Sequence, residues 1–160
     1  MILSLAKGAD RLHVIEGATS ERSAPREVML AAPLAAAPIF WGAELFAPTT
    51  VGRVDRIDPL TGVARGLPFV PPLMGGRSAE WLAPVRVAND GVVLAEASGA
   101  VRRLVVRKEP SVDRLEVAAQ TTLEKPIVSQ LASTGESVFL VTSDQRIRAL
   151  AARDLSPLGS

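Results

Sequence analysis

Leu45-Phe46-Ala47-Pro48-Thr49-Thr50-Val51-Gly52-Arg53-Val54-Asp55-Arg56-Ile57 decides the architecture, because the chain repeats its pattern three more times. The other copies run from Leu3 to Ile15, Val92 to Leu104 and Val138 to Leu150, and all four align without a gap. Each reads as an apolar run, a short turn and a second apolar run. Two anchors stand nine residues apart in every copy: Leu3 and Leu12, Leu45 and Val54, Val92 and Val101, Val138 and Ile147. Three residues further on stand Ile15, Ile57, Leu104 and Leu150. The turns are Lys7-Gly8-Ala9-Asp10, Thr50-Val51-Gly52, Ala97-Ser98-Gly99 and Ser143-Asp144-Gln145. Glycine tolerates positive φ, and Asp and Ser bond the local backbone, so each copy is predicted to be a β-hairpin.

Working outward, a run beginning with proline precedes three hairpins: Pro38-Ile39-Phe40-Trp41, Pro84-Val85-Arg86-Val87 and Pro126-Ile127-Val128-Ser129. Proline at the first position of a strand loses no ladder bond. A strand-like run follows the first three hairpins: Glu27-Val28-Met29-Leu30, Leu67-Pro68-Phe69-Val70 and Leu115-Glu116-Val117-Ala118. The unit is therefore four antiparallel strands in about 42–47 residues, the period of a propeller blade. The predicted fold is all-β, a partial β-propeller of about three to four four-stranded blades. Residues 1–35 form an incomplete blade, 36–80 and 81–122 complete blades, and 123–160 a last incomplete one. Two complete blades do not close a ring of ~4–8, so the chain is expected to be part of a longer protein. A β-sandwich also uses short strands, but it does not require copies with one internal spacing.

The chain has 160 residues, 48% of them apolar and 22% charged, with a formal net charge of +1. That balance suits a packed core and gives no bulk signal for nucleic acid. Twelve prolines scattered throughout leave little room for long helices. The absence of cysteine excludes disulfides and thiolate sites, and a single histidine, His13, excludes a multi-histidine metal site. No apolar run reaches the ~18–20 residues of a membrane span. Lys7, Asp10 and Arg11 interrupt the apolar opening, which lacks a signal-peptide pattern.

The candidate site residues all have simple structural readings. His13 shares its slot in the repeat with Asp55, Arg102 and Arg148, which reads as a solvated strand face. Asp58-Pro59-Leu60-Thr61-Gly62 reads as a turn fixed by the Asp58 carboxylate, with too few oxygens for a calcium loop. Gly75-Gly76-Arg77-Ser78 lacks the lysine and glycine spacing of a phosphate loop. Arg102, Arg103, Arg107 and Lys108 form the one basic cluster, without interleaved aromatics for base stacking. Trp41 and Trp81, with Phe40, Phe46, Phe69 and Phe139, are expected to pack between blades. Ser4, Ser98, Ser133 and Ser137 lie in no nucleophile-elbow motif. No catalytic, cofactor-binding or metal residue is therefore assigned.

Gly52 to Gly62, "GRVDRIDPLTG", resembles the glycine–strand–aspartate–turn segment of pyrroloquinoline-quinone-like β-propeller repeats. Asp144 to Ser156, "DQRIRALAARDLS", resembles it more loosely. The stretch from Pro33 to Ser160 is similar to the propeller region of large bacterial repeat proteins, particularly from planctomycetes. The resemblance implies a propeller. It does not carry the cofactor across: the tryptophan-docking signature, the adjacent cysteines and the calcium ligands of the quinone-dependent alcohol dehydrogenases have no counterparts here. The expected function is a noncatalytic scaffold for protein or ligand interaction, without cofactor, nucleic-acid partner or membrane insertion. Its partners would be a protein or the remaining blades of the parent chain. Binding is expected on the connections from Pro71 to Glu80 and from Lys108 to Asp113. The alternatives are a fragment of a quinone-dependent oxidoreductase whose site lies in other blades, and a sensor module attached to a signalling domain.

Overall fold

The computed structural model describes residues 2–4, 10–15, 26–72, 79–88 and 91–159. Every regular element among them is a β-strand, and the strands form four antiparallel sheets. The first sheet is β1 (Ile2–Ser4), β2 (Arg11–Ile15) and β3 (Arg26–Met29). The second is β4 (Ile39–Trp41), β5 (Glu44–Pro48) and β6 (Val54–Ile57). The third has four strands, β7 (Val85–Val87), β8 (Gly91–Ala95), β9 (Ala100–Arg107) and β10 (Arg114–Thr122). The fourth is β11 (Ala132–Ser133), β12 (Ser137–Val141) and β13 (Ile147–Ala151). The fold is all-β, a partial propeller whose ring is not closed.

Successive side chains on a strand point to opposite faces, and here both faces are apolar. On β5, Leu45 and Ala47 join Leu12, Val28 and Ile57 in a core between the first and second sheets. Phe46 points the other way, into a core with Val54, Trp81, Val92 and Leu104 between the second and third. On β8, Val92 and Leu94 enter that same core, whereas Val93 and Ala95 join Val138, Leu140 and Leu150 between the third and fourth. The middle strands of the second and third sheets, β5 and β8, are thus buried on both sides, at about 1.5–3 kcal/mol for each large apolar side chain removed from water.

Leu45, Val92 and Val138 occupy matching places: each pairs with the residue twelve positions on, Ile57, Leu104 or Leu150. The turns match as well. The N–H of Gly52, Gly99 or Gln145 donates to the carbonyl of Thr49, Glu96 or Thr142, at 2.8–3.0 Å. A connecting segment closes each turn from the side: Thr50, Ala97 and Ser143 donate to the carbonyls of Pro33, Glu80 and Pro126.

Three expectations need correction. Residues 126–129 are not the leading strand of the fourth sheet; β11 is. Ile127 instead makes an isolated bridge to Thr142, as Leu34 does to Thr49 and Trp81 to Glu96. Residues 67–70 form no strand. Phe69 bridges Val54 and Leu67 bridges Arg114 of the next sheet, because Pro68 has no N–H with which to extend a ladder. In the first hairpin Leu3 pairs with Val14, not Ile15. Register follows turn length, and the Lys7–Ala9 part of that turn lies outside the described residues.

Gly52, Gly99 and Gln145 hold one slot with φ of 84°, 110° and 63°. A non-glycine residue at positive φ costs about 1 kcal/mol. Gln145→Gly should therefore raise unfolding stability by about 0.5–1 kcal/mol once glycine's chain entropy is offset. Gly99→Ala should lower stability, because its Cβ would lie 2.8 Å from the Leu123 carbonyl oxygen. Urea denaturation of the two variants beside the parent chain measures both.

Candidate functional site

The hairpin turns bring polar side chains into the ends of the cores. Thr49, Glu96 and Thr142, one per turn, are all buried. The Thr49 hydroxyl donates to the Arg53 carbonyl at 2.9 Å, and that of Thr142 donates to the Asp144 carboxylate at 2.6 Å. Glu96 accepts from the Arg102 guanidinium. Each turn also holds an ion pair onto the following strand: Arg53 with Asp55 at 3.0 Å, Glu96 with Arg102, and Asp144 with Arg148 at 3.3 Å.

The slot shared by His13, Asp55, Arg102 and Arg148 is therefore not one solvated face. His13 is exposed, but Asp55 and Arg102 retain only 5% and 8% of their exposure. Burial of these charges is possible because each finds its partner on its own turn. A second buried cation, Arg56, was not singled out from the sequence. It donates two bonds to the Glu44 carboxylate, at 2.7 and 2.8 Å, and lies 3.6 Å from Asp113 in the β9–β10 connection. It ties the second sheet to the third. The signal available beforehand was Glu44 standing diagonal to Arg56 on one face of adjacent strands, with Phe46 directly opposite Arg56.

The basic cluster divides. Arg102 is buried, Arg107 bonds Glu116 at 2.8 Å, and Lys108 is exposed. Asp58 fixes its turn by accepting the Leu60 N–H at 2.8 Å, with Gly62 at φ 75°. Trp81 is buried between the second and third sheets and Trp41 packs against the same core, 4.8 Å from the Phe46 ring. Phe40 and Phe69 also pack between sheets, but Phe139 lies on the outer face of the fourth sheet, where no described sheet covers it. Ser133 accepts the Gly135 N–H, Ser98 lies exposed on its turn and Ser137 begins β12. Gly75 to Ser78 and the Ser4 side chain lie outside the described residues. The described ones among these residues do not converge on one place, and among the described residues no three carboxylate or imidazole groups cluster to hold a metal ion.

A cleft of about 680 Å³, large enough to hold a ligand, lies between the end of β10 and the outer edge of β13. Thr121, Thr122, Lys125, Arg146 and Arg148 contribute hydrogen-bonding groups to it, and Leu123, Ile147 and Leu158 apolar surface. Beside it, the N–H of Leu158 donates to the Ala149 carbonyl and that of Ala151 to Ser156. Residues 156–158 thus already take the outward carbonyl of Ala149 and the outward N–H of Ala151.

No protein-family model matches the chain, and no curated protein sequence matches it. Solved structures do. BamB from Moraxella catarrhalis aligns over 99% of this chain with 17% identity and a TM-score of 0.65. The computationally designed Ika8 protein aligns over 98% with 16% identity and a TM-score of 0.65. The Swd1 β-propeller domain from Myceliophteria thermophila aligns over 78% with 16% identity and a TM-score of 0.60. These likenesses show the β-propeller fold. The chain spans 47% of the BamB chain, 47% of Ika8 and 39% of the Swd1 domain.

Two predictions follow from the buried and bonded charges. Glu96→Ala leaves the Arg102 guanidinium buried without its carboxylate and should cost about 3–5 kcal/mol in chemical denaturation. Replacing both partners, with Glu96→Leu and Arg102→Met, should recover most of that loss. Acid should also destabilise the fold. The Arg65 guanidinium and the Leu60 N–H hold the Asp58 carboxyl below its usual value, and the Thr142 hydroxyl does so for Asp144. The Ser156 hydroxyl and N–H do the same for Asp154. The unfolded chain then takes up these protons first. Stability is complete above the ordinary aspartate value of about 3.9 and falls as pH drops through the lower folded values. Thermal melts across that range should show the fall, with a shallower slope for Asp58→Asn.

Proposed function

We propose that this chain is a noncatalytic propeller scaffold that binds protein, and that residues 1–35, 36–80, 81–122 and 123–160 are its successive blades. One observation carries the reading: the backbone frame repeats down to single hydrogen bonds, while the exposed segments mounted on it differ. Thr49, Glu96 and Thr142 anchor equivalent turns. Around them stand an Asp58-to-Gly62 turn in one copy, a Lys108-to-Asp113 hairpin tip in the next and the β10–β13 cleft beyond. A rigid frame under variable loops suits display, because loops carry recognition when the frame fixes their positions. The likeness to pyrroloquinoline-quinone-like repeats of bacterial proteins supports the same frame. The cleft beside β13 suits a segment of a partner through its side chains, since Thr121, Thr122, Lys125, Arg146 and Arg148 line it.

Site-specific photo-crosslinking in the source cells tests this. A crosslinker at Ser111 on the β9–β10 tip, or at Lys125 in the cleft, should yield one discrete protein adduct. The Lys125 adduct should be lost when Arg146→Glu reverses charge at the cleft wall. No protein adduct from either position, together with a bound-quinone absorption spectrum in the full protein, would replace this reading by an enzymatic one.

A further inference from the structure

The last strand of a sheet shows a row of backbone groups along its outer edge, and the four sheets finish that edge differently. In the second sheet the edge of β6 is taken: Val54 and Phe69 exchange N–H and carbonyl bonds at 2.9 and 3.0 Å, and the Arg65 N–H donates to the Arg56 carbonyl. In the fourth, residues 156–158 take the outward groups of Ala149 and Ala151. In the first, β3 is four residues long and carries Arg26 and Glu27, and short charged edges resist pairing. The third sheet ends instead on β10, which is nine residues long.

The bonding shows which rungs of β10 are open. Near one end the Leu115 N–H donates to the Leu67 carbonyl, and the Leu67 N–H to that of Asp113, so this edge already accepts a segment from outside its sheet. The register shifts at Ala118. Beyond it the Leu123 N–H donates to the Gly99 carbonyl, so Leu123 and Thr121 turn their backbone groups toward β9. Gln120 and Thr122, alternating with them, turn theirs outward. Among the described residues no backbone bond reaches Gln120 or Thr122 from that side. No charged residue stands between Val117 and Leu123.

Charge is uneven along the edge. At its Arg114 end the charges are matched: Arg114 pairs with Glu109 at 3.1 Å and Arg107 with Glu116 at 2.8 Å. At its Thr122 end it opens on the cleft, which Lys125, Arg146 and Arg148 line together with one acid, Glu124. Arg146 and Arg148 share a single carboxylate beside it, that of Asp144, at 3.7 and 3.3 Å.

We propose that the Gln120–Thr122 edge of β10 takes an extended segment of another protein as an added strand, and that acidic side chains of that segment enter the cleft beside Lys125. The assignment rests on the scaffold reading and names its surface and its kind of partner. Main-chain bonds to Gln120 and Thr122 supply affinity. The edge there offers no charge to match, so the paired part of the partner is uncharged. The cations fix its direction. An acidic end at Arg114 would meet ion pairs already closed, whereas at Lys125 it meets an excess of positive charge.

Titration of a labelled synthetic peptide onto the chain, followed by fluorescence anisotropy, tests this. The probe has about six alternating valine and threonine residues, a common strand length, followed by two glutamates. It should bind, and a peptide ending in two lysines instead should bind about tenfold more weakly. Gln120→Pro should abolish binding with the β-sheet circular dichroism unchanged, since the N–H it removes points away from β9. Amide hydrogen exchange needs no variant: Gln120 and Thr122 should gain protection when the glutamate peptide is added, and Thr121, which faces Val101, should not. Four results overturn the proposal: no binding of either peptide, equal binding of both, binding unaltered by Gln120→Pro, or Gln120 and Thr122 amides already protected in the free chain. A failed peptide beside a surviving adduct at Ser111 overturns this assignment and leaves the scaffold reading in place.

Discussion

Burial of both faces of the middle strands is the constraint on which this structure depends. A strand with one wet face alternates apolar and polar residues, and a sheet built from such strands needs one neighbour. β8 has no wet face: Gly91, Val92, Val93, Leu94 and Ala95 are all buried. A sheet built around it requires a neighbour on each side. The repeat meets this by stacking, so the core is a series of layers rather than one centre. Stability is then shared between adjacent sheets, as in other repeat architectures.

Stacking alone would let sheets slide over one another, and the connections prevent it. Residues 33–35, 80–82 and 126–128 each bond the end of a middle strand: Ala35, Leu82 and Val128 donate to the carbonyls of Pro48, Ala95 and Val141. The segment that enters the fourth sheet is also held by the third, because the Leu123 and Ile127 N–H groups donate to Gly99 and Ala97. The tight turn at Gly99 is therefore a joint between two layers. This explains why its glycine slot sits against backbone rather than in open solvent.

Much of this was legible in the sequence. The nine-plus-three spacing located the hairpins, the anchor slots and the faces on which Leu45, Val92 and Val138 lie. The misses have physical causes. Ile127 has the local character of a strand residue, and only its bonds to two sheets distinguish a crossing segment from a leading strand. At Leu67 to Val70, apolar character suggested a strand, but a ladder also needs consecutive donors, and Pro68 interrupts them. Asp55 and Arg102 read as solvated because charged residues rarely enter a core alone. They enter here with Arg53 and Glu96, which lie two and six residues away on the same turns. Arg56 depended on Asp113, a contact between sheets that no local pattern contains.

The positions of these buried charges suggest why the repeat keeps them. Apolar layers are non-directional: Val, Leu and Ala would pack almost as well after a slip along the strand. Ion pairs are directional. Shifting β9 by one residue against β8 would send Arg102 to the opposite face, away from Glu96, and shifting β6 against β5 would separate Arg56 from Glu44. Each slip would strand a charge in an apolar layer, which is far more costly than a poorer apolar contact. The cores supply the driving force, and the paired charges at their ends select one register among several of similar hydrophobic energy. The fourth sheet differs at this point. Arg148 lies half-buried over Asp144, and Ala149 replaces the buried arginine of the second sheet. Its register is held instead by the Thr142 hydroxyl, which bonds both Asp144 and the Arg146 carbonyl, and by the bond from Val141 N–H to the Ser129 hydroxyl. One backbone solution is thus fixed by buried ion pairs in one layer and by hydroxyl hydrogen bonds in another, leaving the outward positions free to vary.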